Sequence, residues 1–284
     1  MSGVVQRAIA DGVALLTLNR PERLNAWTAQ MEREYFDSLE ECGASADVRV
    51  IVVTGAGRGF CAGADMQDLQ GISAAATATE TADDDANGTA PRGGEGGNGA
   101  GRPASERRPQ TLPLSVPKPI IAAINGPCAG IGLVQALMCD LRFAAEDAKL
   151  TTAFARRGLV AEHGISWMLP RLVGPARALD LLLSARVVLG AEAAQLGLVN
   201  RAVPAELLMN EALAYARELA VNCSPASMAT MKRQVYADFE RPLPEALAEA
   251  DRLMLESFAR PDFAEGVASF VERRDPRFAP VARG

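Results

Sequence analysis

Hydrophobic positions along the chain follow two rhythms, a β-type rhythm in the first half and a helical one in the second. The opening stretch VVQRAIADGVALLTLN reads as two strands around Asp11–Gly12, a strong hairpin signal. Thr28 is placed to cap a helix over about 29–42, whose apolar face is Met31, Tyr35, Phe36 and Leu39. Val48 to Val53 is a β-branched run typical of a buried strand, and it runs into the glycine-rich loop GAGRGFCAGAD. A second buried strand, Ile120 to Ile124, leads into Asn125–Gly126–Pro127 and a helix from about Gly130 to Met138. Leu141–Ala144 and Lys149–Thr152 read as short strands. Beyond Gly164 the pattern predicts helices at Ile165–Val173, Ala176–Ser184, Ala191–Leu196, Ala205–Ala220, Pro225–Ala237, Leu243–Ala259 and Asp262–Glu272. Strands interleaved with helices, then helices alone, predict an α/β core over 1–203 and a helical C-terminal region over 204–284.

One segment breaks the pattern. Residues 73–111 contain no Val, Ile, Leu, Met, Phe, Trp or Tyr and include TADDDANG and GGEGGNGAG. Such a stretch has almost nothing to bury, so it reads as a flexible insertion, with a lid or partner-binding segment as the alternative. Residues 119–139 are uncharged and long enough to span a bilayer, yet Pro127, Gly126, Gly130 and Gly132 interrupt them. A buried strand, turn and helix fit that stretch better, and no membrane span is expected.

Composition narrows the chemistry. The 284 residues carry 29 Lys+Arg against 35 Asp+Glu, a formal charge of −6, which disfavours a nucleic-acid partner. A single histidine excludes a multi-histidine metal site, so no metal is expected and acid–base work falls mainly to carboxylates. Cys42, Cys61, Cys128, Cys139 and Cys223 are widely spaced and odd in number, which favours reduced thiols. With no basic stretch before a long apolar core at the start, a cytoplasmic location is expected.

The two strand-to-helix turns carry the chemical signal: Gly59-Phe60-Cys61-Ala62-Gly63-Ala64-Asp65 and Asn125-Gly126-Pro127-Cys128-Ala129-Gly130-Ile131-Gly132. Glycine lets backbone approach a ligand, and amides opening a helix are free to donate, so two such turns can aim a pair of N–H groups at one carbonyl oxygen. There is no G-x-x-x-x-G-K-[ST], and no G-x-G-x-x-G sits at a strand-to-helix turn, which argues against nucleotide phosphate.

These turns, with LTLNRPERLNAW (15–27), VIVVTGAGRGFCAGADM (50–66), KPIIAAINGPCAGIGL (118–133), CDLRFAAEDAKL (139–150), the run 170–203 and EGVASFVERRDPRF (265–278), resemble the crotonase superfamily, the enoyl-CoA hydratase/isomerase family. The resemblance covers nearly the whole chain except 73–111. It implies a spiral of ββα units followed by a helical region used for trimers or hexamers, and an acyl-CoA substrate in which CoA is the only cofactor-like group. It implies an oxyanion hole made by the backbone amides of Ala64 and Ile131, the latter standing where many members have glycine, beside Gly130. It places CoA along Leu24–Ala26 and Ala62–Met66, with Asp65 shaping the turn, and suggests that Phe270 and Arg273 grip the nucleotide from a neighbouring subunit. Arg156 and Arg157 are read as surface residues or phosphate partners.

By the same alignment, the two glutamates that activate water in the family's hydratases fall on Val134 and Phe154, which cannot transfer protons. Glu162, in GLVAEHGISW, matches a position where some isomerases and a dehalogenase of the superfamily carry a catalytic acid. One carboxylate near the acyl α and γ carbons suits double-bond isomerisation. Its alternative role is to favour the N-terminus of the following helix. His163 is either a structural hydrogen-bonder or a contact to Glu162 or substrate. Isomerisation of an enoyl-CoA is the expected reaction, with hydration and a catalytically reduced acyl-CoA binding protein as alternatives.

Overall fold

The computed structural model describes residues 3–71 and 108–281. Of the 73–111 insertion, 73–107 lie outside the described residues. Its last four residues do not behave as coreless chain. Arg108 pairs with Asp37 (2.5 Å) and Glu40 (2.7 Å), and Gln110 donates to Glu32 (2.7 Å), so packing on the helix Ala29–Ala44 is in place from Arg108 onward.

The main sheet has six strands in the order β1-β2-β3-β4-β6-β9. β1 (Val5–Ala10) and β2 (Val13–Leu18) form the expected antiparallel hairpin, with Asp11 at φ +51° and Gly12 at φ +75°. Two consecutive positive φ values match the right-handed strand twist, which is why an Asp-Gly pair serves here. β3 (Val50–Gly55), β4 (Ile120–Ile124), β6 (Leu141–Ala145) and β9 (Arg201–Val203) add in parallel. β3 and β4 are buried at every position, which accounts for their unbroken apolar runs. The helix Ala29–Ala44 is capped as expected, Thr28 Oγ1 accepting from the Met31 amide (3.2 Å).

A second sheet joins the expected strand β7 (Lys149–Thr151) to β5 (Cys128–Ala129) and β8 (Val188–Leu189), which were not legible beforehand. Two-residue strands are too short to show a period. The expected helix 205–220 begins as a 3-10 turn at Ala205–Leu207 and becomes α-helix over Leu208–Asn222. Its buried face, Leu208, Ala212, Ala216 and Ala220, joins the same core as β3 and β4. The helices that extend past that core are therefore Pro225–Asp238, Leu243–Phe258 and Pro261–Glu272. No described helix is long and apolar enough to cross a membrane.

Candidate active site

β3 and β4 end side by side, and the turns after them are joined by backbone. Cys61 and Cys128 form a parallel bridge: the Cys61 amide donates to Pro127 O (3.1 Å) and the Ala129 amide to Cys61 O (3.0 Å). This pairing puts Ala64 and Ile131, each three residues further on, at corresponding places on one wall. The fit is tight. A Cβ on Gly132 would lie 2.7 Å from the Cys61 Cβ and 2.8 Å from its Sγ, so only glycine lets the helix Ile131–Met138 approach the Cys61 strand.

The two amides are free for identifiable reasons. Ala64 sits in a parallel bridge with Trp27, in which the Trp27 amide donates to Gly63 O (2.8 Å) and the Asp65 amide to Trp27 O (3.0 Å). Both bonds use the residues flanking Ala64, so its own N–H points away from Trp27. Ile131 is the first residue of its helix, and the first helical bond is made only by Val134, to Gly130 O (3.0 Å). Gly130, at φ +51°, ψ −125°, takes a backbone conformation open to glycine and turns the chain into that helix. Neither amide donates to an acceptor among the described residues.

Leu24, Asn25 and Ala26 run beside this turn. The Ala62 amide donates to Leu24 O (3.0 Å), and the buried Asn25 side chain donates to Ala56 O (2.9 Å) and Gly59 O (2.8 Å). Asp65 caps the helical segment 66–71. It accepts from the Gln67 amide (3.1 Å) and pairs with Arg20 (3.0 Å), and these bonds hold its carboxyl below the usual range. These bonds tie the Asp65 carboxyl into the turn and the helical segment that follows it.

These pieces enclose a cavity of about 460 Å³. Both amide-bearing residues line it, as do Leu24, Ala26, Ala62, Asp65, Met66, Gly130, Phe154, Glu162 and His163. Val134 is fully buried and is not among the residues that line the cavity, which takes only Gly130 and Ile131 from the N-terminal end of its wholly buried helix. Phe270 and Arg273 lie elsewhere. Phe270 lines a separate apolar groove with Met228, Met231 and Phe263, and Arg273 caps the last helix. Arg157 faces the cavity, whereas Arg156 donates to Ser184 O (3.2 Å). Arg23 and Arg58 also line it and were missed, although each adjoins a segment already singled out.

Glu162 and His163 sit just before the helix Ile165–Val173, with His163 Nε2 3.5 Å from Glu162 Oε2. His163 is held at φ +57°, a left-handed conformation that costs a non-glycine residue of order 1–3 kcal/mol. Burial pushes its imidazole below the ordinary range, against the opposing pull of Glu162 and Glu32. The cavity therefore favours the neutral ring.

The cysteines of the two turns take no evident part. Cys61 and Cys128 are fully buried free thiols. Burial raises both, Cys61 to about 12, so neither supplies a thiolate near neutral pH. Among the described residues, no group of three His, Cys, Asp or Glu is placed to hold a metal ion.

Free amides from two turns beside one carboxylate are suited to holding an enolate while a proton moves. The family model described as enoyl-CoA hydratase/isomerase matches residues 8–89 and 105–280, so the unmatched stretch is narrower than the 73–111 insertion. A protein of Rhodobacter capsulatus named probable enoyl-CoA hydratase is 37% identical over 277 residues, covering 96% of this chain and 97% of that one. The 1,2-epoxyphenylacetyl-CoA isomerase of Escherichia coli is 33% identical over 271 residues, covering 95% and 96%. A crystal structure of a probable enoyl-CoA hydratase/isomerase from Mycobacterium abscessus superposes with a TM-score of 0.80 at 30% identity, covering 98% and 99%. With its paired turns, its α/β core and these matches in agreement, the chain belongs to the enoyl-CoA hydratase/isomerase family, the crotonase superfamily, and is an acyl-CoA enzyme of that family.

Proposed function

We propose that the protein isomerises the double bond of an enoyl-CoA, moving it from the 3 to the 2 position. The thioester carbonyl oxygen accepts from the Ala64 and Ile131 amides, which stabilise the dienolate. Donors of this kind are worth roughly 2.7–4 kcal/mol each in barrier height. Glu162 removes a proton from the α carbon and returns it at the γ carbon. The bond electrons pass through the dienolate, so no further cofactor is needed. CoA runs past Leu24–Ala26 and Ala62–Met66, with Arg23, Arg58 and Arg157 available to its phosphates.

One observation carries this reading. Glu162 shares the cavity with the two amides, while the positions aligned with the hydratase glutamates are Val134, off the wall, and Phe154, apolar and on it. The other lining carboxylates are otherwise engaged or peripheral: Asp65 is tied to Arg20, and Glu22 lies in the 3-10 turn Pro21–Arg23. The similarity to a CoA isomerase of Escherichia coli agrees with this reading.

Hydration of a 2-enoyl-CoA is the second reading, favoured by the names of several relatives. The two separate in one assay of the wild-type enzyme. Isomerisation predicts turnover of 3-enoyl-CoA to 2-enoyl-CoA with little loss of the conjugated thioester absorbance of crotonyl-CoA. Rapid hydration of crotonyl-CoA, with no isomerisation, establishes the second reading instead. CoA-ester binding without either reaction identifies a binding protein. Self-association as a trimer or hexamer accompanies the proposal. It is supported by exposed Met231, Phe258, Phe263, Phe270 and Val271 on the C-terminal helices.

A further inference from the structure

The helix Ile131–Met138 carries one polar side chain, which the mechanism above does not use. Gln135 stands one turn after Ile131, among apolar residues and a glycine, and is 2% exposed. A carboxamide buried this far needs partners. Its Nε2 donates to Gln110 Oε1 (2.7 Å) and to Gln110 O (3.3 Å). Its Oε1 has no partner among the described residues, so the hydrogen bonding of this side chain runs to Gln110.

Gln110 passes the connection on. Its Nε2 donates to Glu32 Oε2 (2.7 Å), and the same oxygen accepts from Trp27 Nε1 (3.3 Å). Trp27, fully buried, is the bridge partner of Ala64. The polarity is consistent at every link, since N–H groups from both sides point toward one carboxylate, and a charged acceptor strengthens such bonds. Gln110 is itself fixed at both flanks. Arg108 pairs with Asp37 and Glu40, and the Leu112 amide donates to Pro109 O (3.0 Å) where Leu112 is buried. The backbone join between the two turns, through Cys61 and Cys128, thus has a second brace made of side chains.

We propose that Gln110 is a positioning residue of the oxyanion hole, its carboxamide tying the helix that begins at Ile131 to the Trp27–Glu32 pair against which Ala64 is set. This rests on the Ala64 and Ile131 amides as the donors of the reading above. One half of the hole is anchored through Gln135 and the other through Trp27, and Gln110 joins the two anchors by way of Glu32. Without its carboxamide, the buried Gln135 amide and the Glu32 carboxylate each lose a partner. The helix then shifts relative to Ala64, and the two amides no longer converge on one oxygen.

Gln110→Met keeps a side chain of similar length and removes its hydrogen bonds. The readout is the carbonyl stretch of a saturated acyl-CoA, isotope-labelled at the thioester carbon, measured by infrared difference spectroscopy on the bound complex. Hydrogen bonds from the hole lower this frequency below that of the free ester. In Gln110→Met the band should move back toward the free value. For 3-enoyl-CoA isomerisation, kcat should fall by up to about 10²-fold, the loss that a displacement of about 1 Å brings, while KM changes little. Gln135→Met cuts the same tie from the other end and should move the band equally, and the double variant should move it no further than either single one. A folded Gln110→Met enzyme with the wild-type band overturns the proposal. A loss of urea stability with an unmoved band does so too, by making Gln110 a packing residue, as does a double variant whose shift is the sum of the two. Should Gln110→Met not fold, Gln135→Met and Gln110→Asn, whose carboxamide is one methylene too short to reach both partners, carry the same expectation. The band needs no turnover. A wild-type band at the free-ester position refutes the hole itself, whereas a lowered band without isomerisation removes only the reaction assigned to it.

Discussion

Gly132→Ala tests the join between the two turns. The substituted Cβ would meet the Cys61 Cβ at 2.7 Å and Sγ at 2.8 Å, in a site where the Cys61 backbone is itself fixed by bonds to Pro127 and Ala129. Ordinary carbon contact begins near ~3.5 Å, so the helix carrying Ile131 and the strand leading to Ala64 must part by about 0.8 Å. Nothing at the end of a flexible side chain can yield instead, since the obstacles are a Cβ, a sulfur one bond out and a carbonyl. Overpacking of this kind costs about 1–3 kcal/mol of stability. The catalytic loss should be larger. Displacing catalytic groups by close to 1 Å costs on the order of 10²-fold in rate, and losing one oxyanion donor about 10²–10³-fold in kcat. Urea unfolding and 3-enoyl-CoA kinetics on the same preparation read both effects. A folded Gly132→Ala enzyme with wild-type urea midpoint and wild-type kcat would refute the claim that this contact sets the spacing of the two amides.

Two further outcomes follow from the electrostatics. Asp65 is held below its ordinary range by the Gln67 amide and then by Arg20, so its contribution to stability is present above the unfolded carboxylate range and lost as pH falls through its depressed value. Asp65→Asn should therefore lower the urea midpoint at neutral pH and leave it unchanged at strongly acidic pH; equal losses at both would contradict the pairing. Of the five thiols, Cys42, Cys61, Cys128 and Cys139 are buried and raised by burial, and only Cys223 is partly exposed. Native enzyme should give at most one fast-reacting thiol with an aromatic disulfide reagent and five after denaturation. Rapid labelling of Cys61 or Cys128 would contradict the closed packing of the turns.

Much of this was legible in the sequence because it rests on local patterns. The β-branched runs of β3 and β4, the Thr28 cap, the Asp11–Gly12 hairpin and the helices after Gly164 each have a short-range cause. Ala64, Ile131 and Glu162 were found by motif, and they line one cavity. The failures are long-range. Val134 was singled out by alignment alone, and no local pattern shows that its helix is buried at every residue and presents only its N-terminal end to the cavity. Residues 108–111 looked like the tail of a coreless insertion, since Arg, Pro, Gln and Thr carry no apolar signal; their partners, Asp37, Glu40 and Glu32, lie some seventy residues earlier. Glu32 itself reads as an ordinary helical glutamate until the fold buries it beside Trp27.

The claim at the centre of this account is that one carboxylate moves the proton, and Glu162→Gln tests it most directly. The substitution keeps size and polarity and removes the base, and general acid–base groups contribute about 10²–10⁴-fold. With 3-enoyl-CoA, kcat should fall by that order while the dissociation constant of a saturated acyl-CoA, measured by calorimetry, stays at the wild-type value. Wild-type kcat in a correctly folded Glu162→Gln enzyme would contradict the assignment.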